Sequence, residues 1–506
     1  MNAGSPSVPC PLRAAALASP EAAAVVSTGG VMSYAELDRR VSAAAVRLEQ
    51  LGAGSRIALH LPKDERHLAL VLAVIRAGGT ACPVSTRLPP GGVAQLLERA
   101  ACSVLISEDQ RFLDAAVGLR KPNPRTLLEA SEPPTGRPEP LEIPLDRPST
   151  VVFTSGSTGA PKAALHTFGT HYYSALGSNT NIALAPGDRW LHSLPLYHVG
   201  GLSIVFRCLL AGATVVLPDP VLPLGRAIAA LGATHVSLVP TQLLRLLREE
   251  ADLEGIKAIL LGGGPIPPYL VNEALSRGLP VHTSYGLTEM ASQVTATPPG
   301  ASLEELRTAG RPLPYREVSV SGEGEILVRG ETLFAGYVEG AGINLPLDED
   351  GWFHTRDLGE LDADGYLRVR GRTDNMFVSG GENVQPEEIE AVLCRLEGVE
   401  EAVVVSVPDA EFGTRPVAFV RSSGVTGDLA LALASSLPRF KIPVAFHQWE
   451  GAGGMKPDRV GLRERARRLG ESAEEVPARE PSQPASNPST SASTGLPPAR
   501  PPWLHP

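Results

Sequence analysis

Between residues 21 and 130, short apolar strand-like runs alternate with helix-like ones: IALHLP, a helical run through VLAVIRAGG, then TACPVS, VAQLLERA and SVLIS. A hydrophobic period that switches between two and 3.6 in this order lays strands side by side and packs helices over their faces. It predicts an α/β layer built on a parallel sheet. The rhythm resumes after residue 151, with TVVLP at 214–218, HVSLVP at 235–240 and AILLGGG at 258–264. From about residue 310 short strands and turns take over, as in EVSVSGEGEILVRG, which predicts a small all-β unit. Residues 384–420 then read helix, strand, turn, strand (PEEIEAVLCRL, EEAVVVSVPD, RPVAFVRS), a smaller α+β piece.

These changes of pattern divide the 506 residues into an expected large domain over 1–373, a small one over 374–470 with its boundary at Asp374, and a tail over 471–506. The tail holds nine prolines among many Ser, Ala and Thr, with little apolar material to bury, and is expected to be disordered. Over the whole chain, 43% hydrophobic and 20% charged residues are ordinary for a globular protein with a packed core.

A net charge of −10 argues against general binding to nucleic acid or acidic membrane, so any anion site must be assembled locally. Cys10, Cys82, Cys102, Cys208 and Cys394 are far apart and form no CxxC pair. Neither a disulfide framework nor a zinc cluster is suggested, and a reducing cytoplasm fits best. The N-terminus shows no basic start followed by an apolar run, and LALVLAVI at 68–75 is too short to span a bilayer. It reads as a buried helix, with no stable membrane insertion.

The run VVFTSGSTGAPKAALH (151–166) leads from an apolar strand into small donors and one cation. A Walker loop would need Gly where Pro161 stands, and Lys162 is followed by Ala163. A nucleophile elbow would need Gly where Ser155 stands. What remains is a row of hydroxyls and bare amides, Thr154, Ser155, Gly156, Ser157, Thr158 and Gly159, with Lys162 as a mobile charge. Such a row suits several phosphate oxygens, or is a plain surface turn.

Three further stretches bear on that choice. SYGLTEM (284–290) sets Tyr285, Thr288 and Glu289 within five residues, a ring to stack a base, a hydroxyl for phosphate and a carboxylate for a hard cation, or else a strand end with a satisfied Glu. AILLGGGPIP (258–267) puts Gly262, Gly263, Gly264 and Pro265 where α/β proteins bind ligands, and bare backbone there accepts a planar group. Asp357 and Arg372 frame a hairpin-like unit, as chelators of two ribose hydroxyls or as a surface ion pair.

Taken together, TSGSTGAPK, LPLYHVGGL, SYGLTE, HTRDLG and GRTDNMFVSGGENVQPEEIE resemble the adenylate-forming superfamily of acyl-CoA synthetases, nonribosomal adenylation domains and luciferases, in order over residues 20–470. A narrower resemblance is to the ligases that join o-succinylbenzoate to coenzyme A in menaquinone biosynthesis. It runs through HVSLVPTQLLRLL, ILLGGGPIP, Arg356 of HTRDLG, SGGENVQPEEIE, EFGTRPVAFV, LPRFKIPV and GGMK.

The resemblance implies an αβαβα sandwich with a β-barrel-like unit, followed by a mobile α+β domain. It implies ATP, Mg²⁺ and coenzyme A as reactants, with a small carboxylic acid as substrate, and leaves a homo-oligomer open. Thr154 to Gly159 with Lys162 would wrap the β- and γ-phosphates. Tyr285 and Gly286 would lie against adenine beside Gly262–Pro265, Thr288 would touch the α-phosphate and Glu289 would bind Mg²⁺. Asp357 and Arg372 would hold the ribose.

His198 and Gly201 would border the acyl site, where His198 would gate the carboxylate or act as a base, although a histidine capping that turn is the rival reading, and Arg207 would take the carboxylate that does not react. Lys456 would bridge the attacking carboxylate and the α-phosphate, although GAGGM replaces the superfamily's usual Pro-x-Thr-x-x-Gly approach. Asp374 would be the hinge, and Ser379, Gly380, Gly381, Glu382 and Asn383 would line the path of the thiol. Three alternatives stand beside this reading: an acyl-CoA synthetase for a fatty or aryl acid, an adenylation module loading a carrier protein, and a nucleotide-binding protein that has lost catalysis.

Overall fold

A computed structural model describes residues 6–50, 55–129, 139–154, 161–340, 342–380, 382–409, 411–422, 428–434, 436–451 and 457–474. Two large sheets organise the first part of the chain. One has nine strands, and its middle is parallel: Ala23–Ser27, Thr214–Val216, Arg189–Leu191, His235–Leu238, Ala258–Leu261 and Val281–Leu287 lie side by side. The other has seven, with Arg56–His60, Thr80–Pro83, Val104–Ser107 and Pro148–Thr154 in parallel register. The expectation of parallel sheets holds for these centres but not for the margins. Gly30–Ser33, Lys162–Thr167, Gly336–Glu339 and Ser292–Ala296 pair antiparallel: the first, second and fourth follow their partner strand in the chain without a helical crossover, and Gly336–Glu339 joins Lys162–Thr167 from a distant segment.

Helices Glu65–Arg76 and Val199–Ala211 explain why the two sheets stack. Every residue from His67 to Ile75 is buried, and so is nearly the whole of the second helix. A helix apolar all round is stable only with both faces covered. One core accordingly joins Val25 and Val215 of the nine-stranded sheet to Ile57, Leu59 and Val152 of the seven-stranded sheet through Leu70, Val74, Ile204 and Phe206. Asp64 caps the first helix by accepting from the His67 amide, and Gly212, at φ +66°, closes the second.

The all-β stretch forms a four-stranded antiparallel sheet ordered Arg316–Val320, Glu325–Gly330, Phe353–Leu361, Leu367–Arg372. It packs on the large unit through Ile326, Val328, Phe334 and Tyr337, against Met290 and Val294. After Asp374, helix Pro386–Leu393 covers a three-stranded sheet of Val399–Asp409, Gly413–Ser422 and Ala445–Gln448 with a separate core around Val404, Ala418 and Leu433. Among the described residues no helix is long and apolar enough to cross a membrane, and all five cysteines are free.

Candidate active site

The C-terminal ends of the parallel strands carry the glycine run and the SYGLTEM segment side by side. Leu261 pairs with Thr283, so Gly262 faces Ser284. A Cβ on Gly262 would meet Ser284 Oγ at 2.7 Å, and Gly263 has φ +81°, so bare backbone is required at both. A Cβ on Gly264 would meet nothing within 4 Å, leaving that backbone open to a flat ligand. Gly286 is tighter still, because a Cβ there would lie 2.0 Å from Ser292 O.

Tyr285 does not stand alone as an aromatic platform. Its hydroxyl donates to Asp357 Oδ2 at 2.5 Å, and Arg372 Nη1 donates to Asp357 Oδ1 at 2.6 Å. Asp357 and Arg372 are register partners across the antiparallel pair Phe353–Leu361 and Leu367–Arg372, as the hairpin reading expected. Burial, then the Asp357 charge, pushes the Tyr285 phenol well above its ordinary value and keeps it a donor. Arg372 also reaches Asp374 Oδ2 at 3.3 Å, and Arg356 Nη1 reaches Asp374 Oδ1 at 3.4 Å. The carboxylate expected to chelate ribose and the one expected at the hinge therefore share a guanidinium.

Glu289 sits in the short 3-10 turn Thr288–Met290. Its Oε1 accepts from Tyr337 Oη at 2.6 Å, and the Lys162 ammonium lies 4.6 Å from the centre of the same ring. Burial, followed by the Glu289 charge, raises the Tyr337 phenol as well. Thr154 and Lys162 face each other as the last pair of the antiparallel strands Pro148–Thr154 and Lys162–Thr167. Ser155, Gly156, Ser157, Thr158 and Gly159 lie outside the described residues, as do Gly381 and Lys456.

The acyl-side residues gather on helix Val199–Ala211. His198 occupies its N-cap position with no side-chain bond to the helix's first amides, and its ring lies 4.8 Å from that of Tyr197. Gly201 permits a backbone contact, since a Cβ would fall 2.0 Å from Pro195 O. Arg207 is 1% exposed, stacks 5.2 Å from the Trp190 ring centre and donates to Ser292 Oγ at 3.4 Å. Burial lowers its guanidinium to about 10, and no carboxylate among the described residues pairs with it. Through Ser292, three residues beyond Glu289, Arg207 abuts the segment that holds the other site residues.

Ser379 and Glu382 pair across a hairpin in the small unit, where Gly380 donates its amide to Phe412 O at 2.9 Å. Asn383 pairs with Val378 in the same hairpin. Sequence reasoning missed Tyr337, Ser292 and the Arg356–Asp374 contact. Neither spacing nor composition marks them, because each meets its partner only through packing of separate elements.

Among the described residues no three His, Cys, Asp or Glu groups gather as a metal cage. A hard cation at Glu289 would thus take most of its oxygens from a substrate, the usual habit of Mg²⁺ at phosphates.

Comparison with known proteins agrees with this geometry. Residues 12–338 match the sequence profile of the AMP-binding enzyme family, and residues 388–451 that of the AMP-binding enzyme C-terminal domain. The chain is 34% identical over 451 residues to the 2-succinylbenzoate–CoA ligase of Bacillus licheniformis, covering 85% of this chain and 93% of the relative. It resembles the structure of o-succinylbenzoate CoA synthetase from Bacillus subtilis in complex with the acyl-adenylate intermediate OSB-AMP, with TM-score 0.82 and 30% identity over 90% of this chain and 98% of that one. The same B. subtilis enzyme in complex with ATP and magnesium ion gives TM-score 0.79 and 32% identity over 88% and 96%. With both profiles in order along the chain and a relative of this similarity, the chain belongs to the AMP-binding enzyme family.

Proposed function

We propose that the chain is an AMP-forming o-succinylbenzoate–CoA ligase of menaquinone biosynthesis. In its first half-reaction the acid's carboxylate attacks the α-phosphorus of ATP and releases pyrophosphate. In the second the coenzyme A thiol attacks the adenylate's carbonyl carbon and releases AMP. Both partners of the first step are anions, so the protein's contribution is neutralisation and alignment rather than a nucleophile.

Asp357, held between Tyr285 and Arg372, would accept from the ribose hydroxyls, and the bare backbone of Gly262–Gly264 with Pro265 and Gly286 would take the adenine. Lys162 and Thr154, opposite each other at the end of the strand pair, would hold the leaving pyrophosphate together with Ser155–Gly159. Glu289 would hold Mg²⁺, whose charge offsets that of the phosphates, and Thr288 would contact the α-phosphate. Lys456 would bring the acid's carboxylate to phosphorus. The small unit from 374 onward would then turn about Asp374 and present Ser379–Asn383 to the thiol. His198 and Gly201 would border the acid.

Arg207 carries the choice of acid. A guanidinium that is fully buried, with no carboxylate partner among the described residues, calls for an anion supplied from outside. o-Succinylbenzoate has one carboxylate to activate and a second to give Arg207, and a fatty acid has none to spare. Acid-dependent exchange of pyrophosphate into ATP, run over aryl, fatty and dicarboxylic acids, tests the assignment. Exchange with o-succinylbenzoate above all others is expected, and exchange with fatty acids alone would overturn it.

A further inference from the structure

Arg207 is not the only buried cation at the acyl end. Arg316, the first residue of strand Arg316–Val320, is 6% exposed and also lacks a carboxylate partner among the described residues. Its Nη2 donates to Ser174 O at 3.1 Å and its Nη1 to Pro314 O at 3.3 Å. Ser174 Oγ in turn donates to Ala291 O at 2.9 Å, the residue before Ser292, on which Arg207 rests. The two guanidiniums thus stand on one short chain of contacts. Burial and then the Arg207 charge lower Arg316 to about 9.

Polar atoms around this pair are left over. The Nε atoms of Arg207 and Arg316 and Gln293 Nε2 are buried without a hydrogen-bond partner among the described residues. So is the Oδ1 of Asn179, whose Nδ2 donates to Arg207 O. Three donors among four orphans fit an acceptor-rich guest. The backbone is strained at the same place: Ala291, Ser292 and Tyr315 have φ of +53°, +122° and +70°, three of the six non-glycine residues with positive φ in the described chain. Strain of this kind persists where the surrounding structure demands a particular placement.

Two like charges buried together, with no counter-ion among the described residues, destabilise the fold, and an anion relieves both. We propose that Arg316 is a specificity-determining positioning residue, which acts with Arg207 so that the acyl end selects acids carrying a second carboxylate over those with one. This deepens the proposed function and rests on its placement of the acid beside Arg207.

The test is steady-state kinetics of Arg316→Met, with o-succinylbenzoate and with an analogue lacking the non-reacting carboxylate, beside the melting midpoint of each unliganded protein. The Met variant should raise KM for o-succinylbenzoate about tenfold with kcat nearly unchanged and leave the analogue's KM where it was. Its unliganded midpoint should hold or rise, and Arg316→Lys should restore most of the preference. Should the Met variant not fold, Arg316→Gln keeps hydrogen-bond donors, removes the charge and is read by the same ratio.

An unchanged ratio of the two KM values with a lowered midpoint would make Arg316 a mere strut and overturn the proposal. If the wild-type enzyme is inert towards o-succinylbenzoate, the functional assignment fails on its own. The two-arginine inference is then decided by thermal shift with paired mono- and dicarboxylic aryl acids. A larger shift for the dicarboxylic members, lost in the Gln variant, supports it, and equal shifts overturn it.

Discussion

Tyr337 donates its hydroxyl to Glu289 at 2.6 Å while its ring carries Lys162 4.6 Å away, so one side chain orients both the expected metal carboxylate and the expected pyrophosphate cation. Removing that hydroxyl frees Glu289 to turn while leaving the platform under Lys162. Tyr337→Phe should therefore lower kcat/KM for Mg·ATP by about tenfold, the worth of a hydrogen bond to a charged group. Tyr337→Ala, which also removes the ring, should cost more. Steady-state rates with varied Mg·ATP measure both, and equal values for wild type and Phe would show that the contact is idle.

Asp357 is the acceptor common to Tyr285 and Arg372. Asp357→Asn keeps the shape but removes the charge that both donors address, and should raise KM for ATP by about 10- to 100-fold. Equilibrium binding of ATP or AMP reports the loss directly. The acid's affinity, set at Arg207, should move much less.

Three buried histidines set an acid limit on stability. Burial pushes His67 down to about 4, and His171 and His192 to about 3, against an ordinary value near 6.5. Such groups take up protons only on unfolding, so their stability contribution is complete above about pH 6.5 and is lost as pH falls towards the folded values. The loss is about 1.4 kcal/mol per pH unit for each group. His171 stacks 4.7 Å from the Phe206 ring centre, and its Nε2 lies 2.7 Å from Thr150 Oγ1. His171→Phe should cost some stability at every pH but reduce the slope between pH 6.5 and 5 by one proton in urea unfolding. Parallel profiles would contradict this.

In the proposed mechanism Lys456 serves the first half-reaction and not the second. Lys456→Ala should cripple adenylation yet spare thioester formation from a supplied acyl-adenylate, since no attack on phosphorus remains. Equal loss of both would remove it from the mechanism.

What could be read in the sequence follows the range of the interaction. Sheet centres, the buried helix 65–76 and the Asp357–Arg372 hairpin are local patterns, and each appears where the hydrophobic period or the turn signals placed it. The antiparallel margins were not legible, because pairing between Lys162–Thr167 and Gly336–Glu339 joins segments far apart in the chain. The site divides in the same way. Glu289 and Lys162 stand out as chemistry-bearing residues in recognisable runs, whereas Tyr337 is an aromatic in FAGYVEG whose use appears only once Phe334 N donates to Glu289 O at 2.8 Å and folds the two segments together. Arg316 looks in the sequence like one charge in a solvated strand, and only burial beside Arg207 gives it another meaning.

The most direct test of the account is to supply the purified chain with ATP, Mg²⁺, coenzyme A and o-succinylbenzoate and follow AMP release and thioester mass together. The account predicts o-succinylbenzoyl-CoA and AMP in equal amounts, with kcat/KM at least about 100-fold above that for fatty acids of comparable size, since such acids leave the buried Arg207 charge unpaired. A fatty or simple aryl acid turned over as well as o-succinylbenzoate, or AMP formed without the thioester, would contradict it.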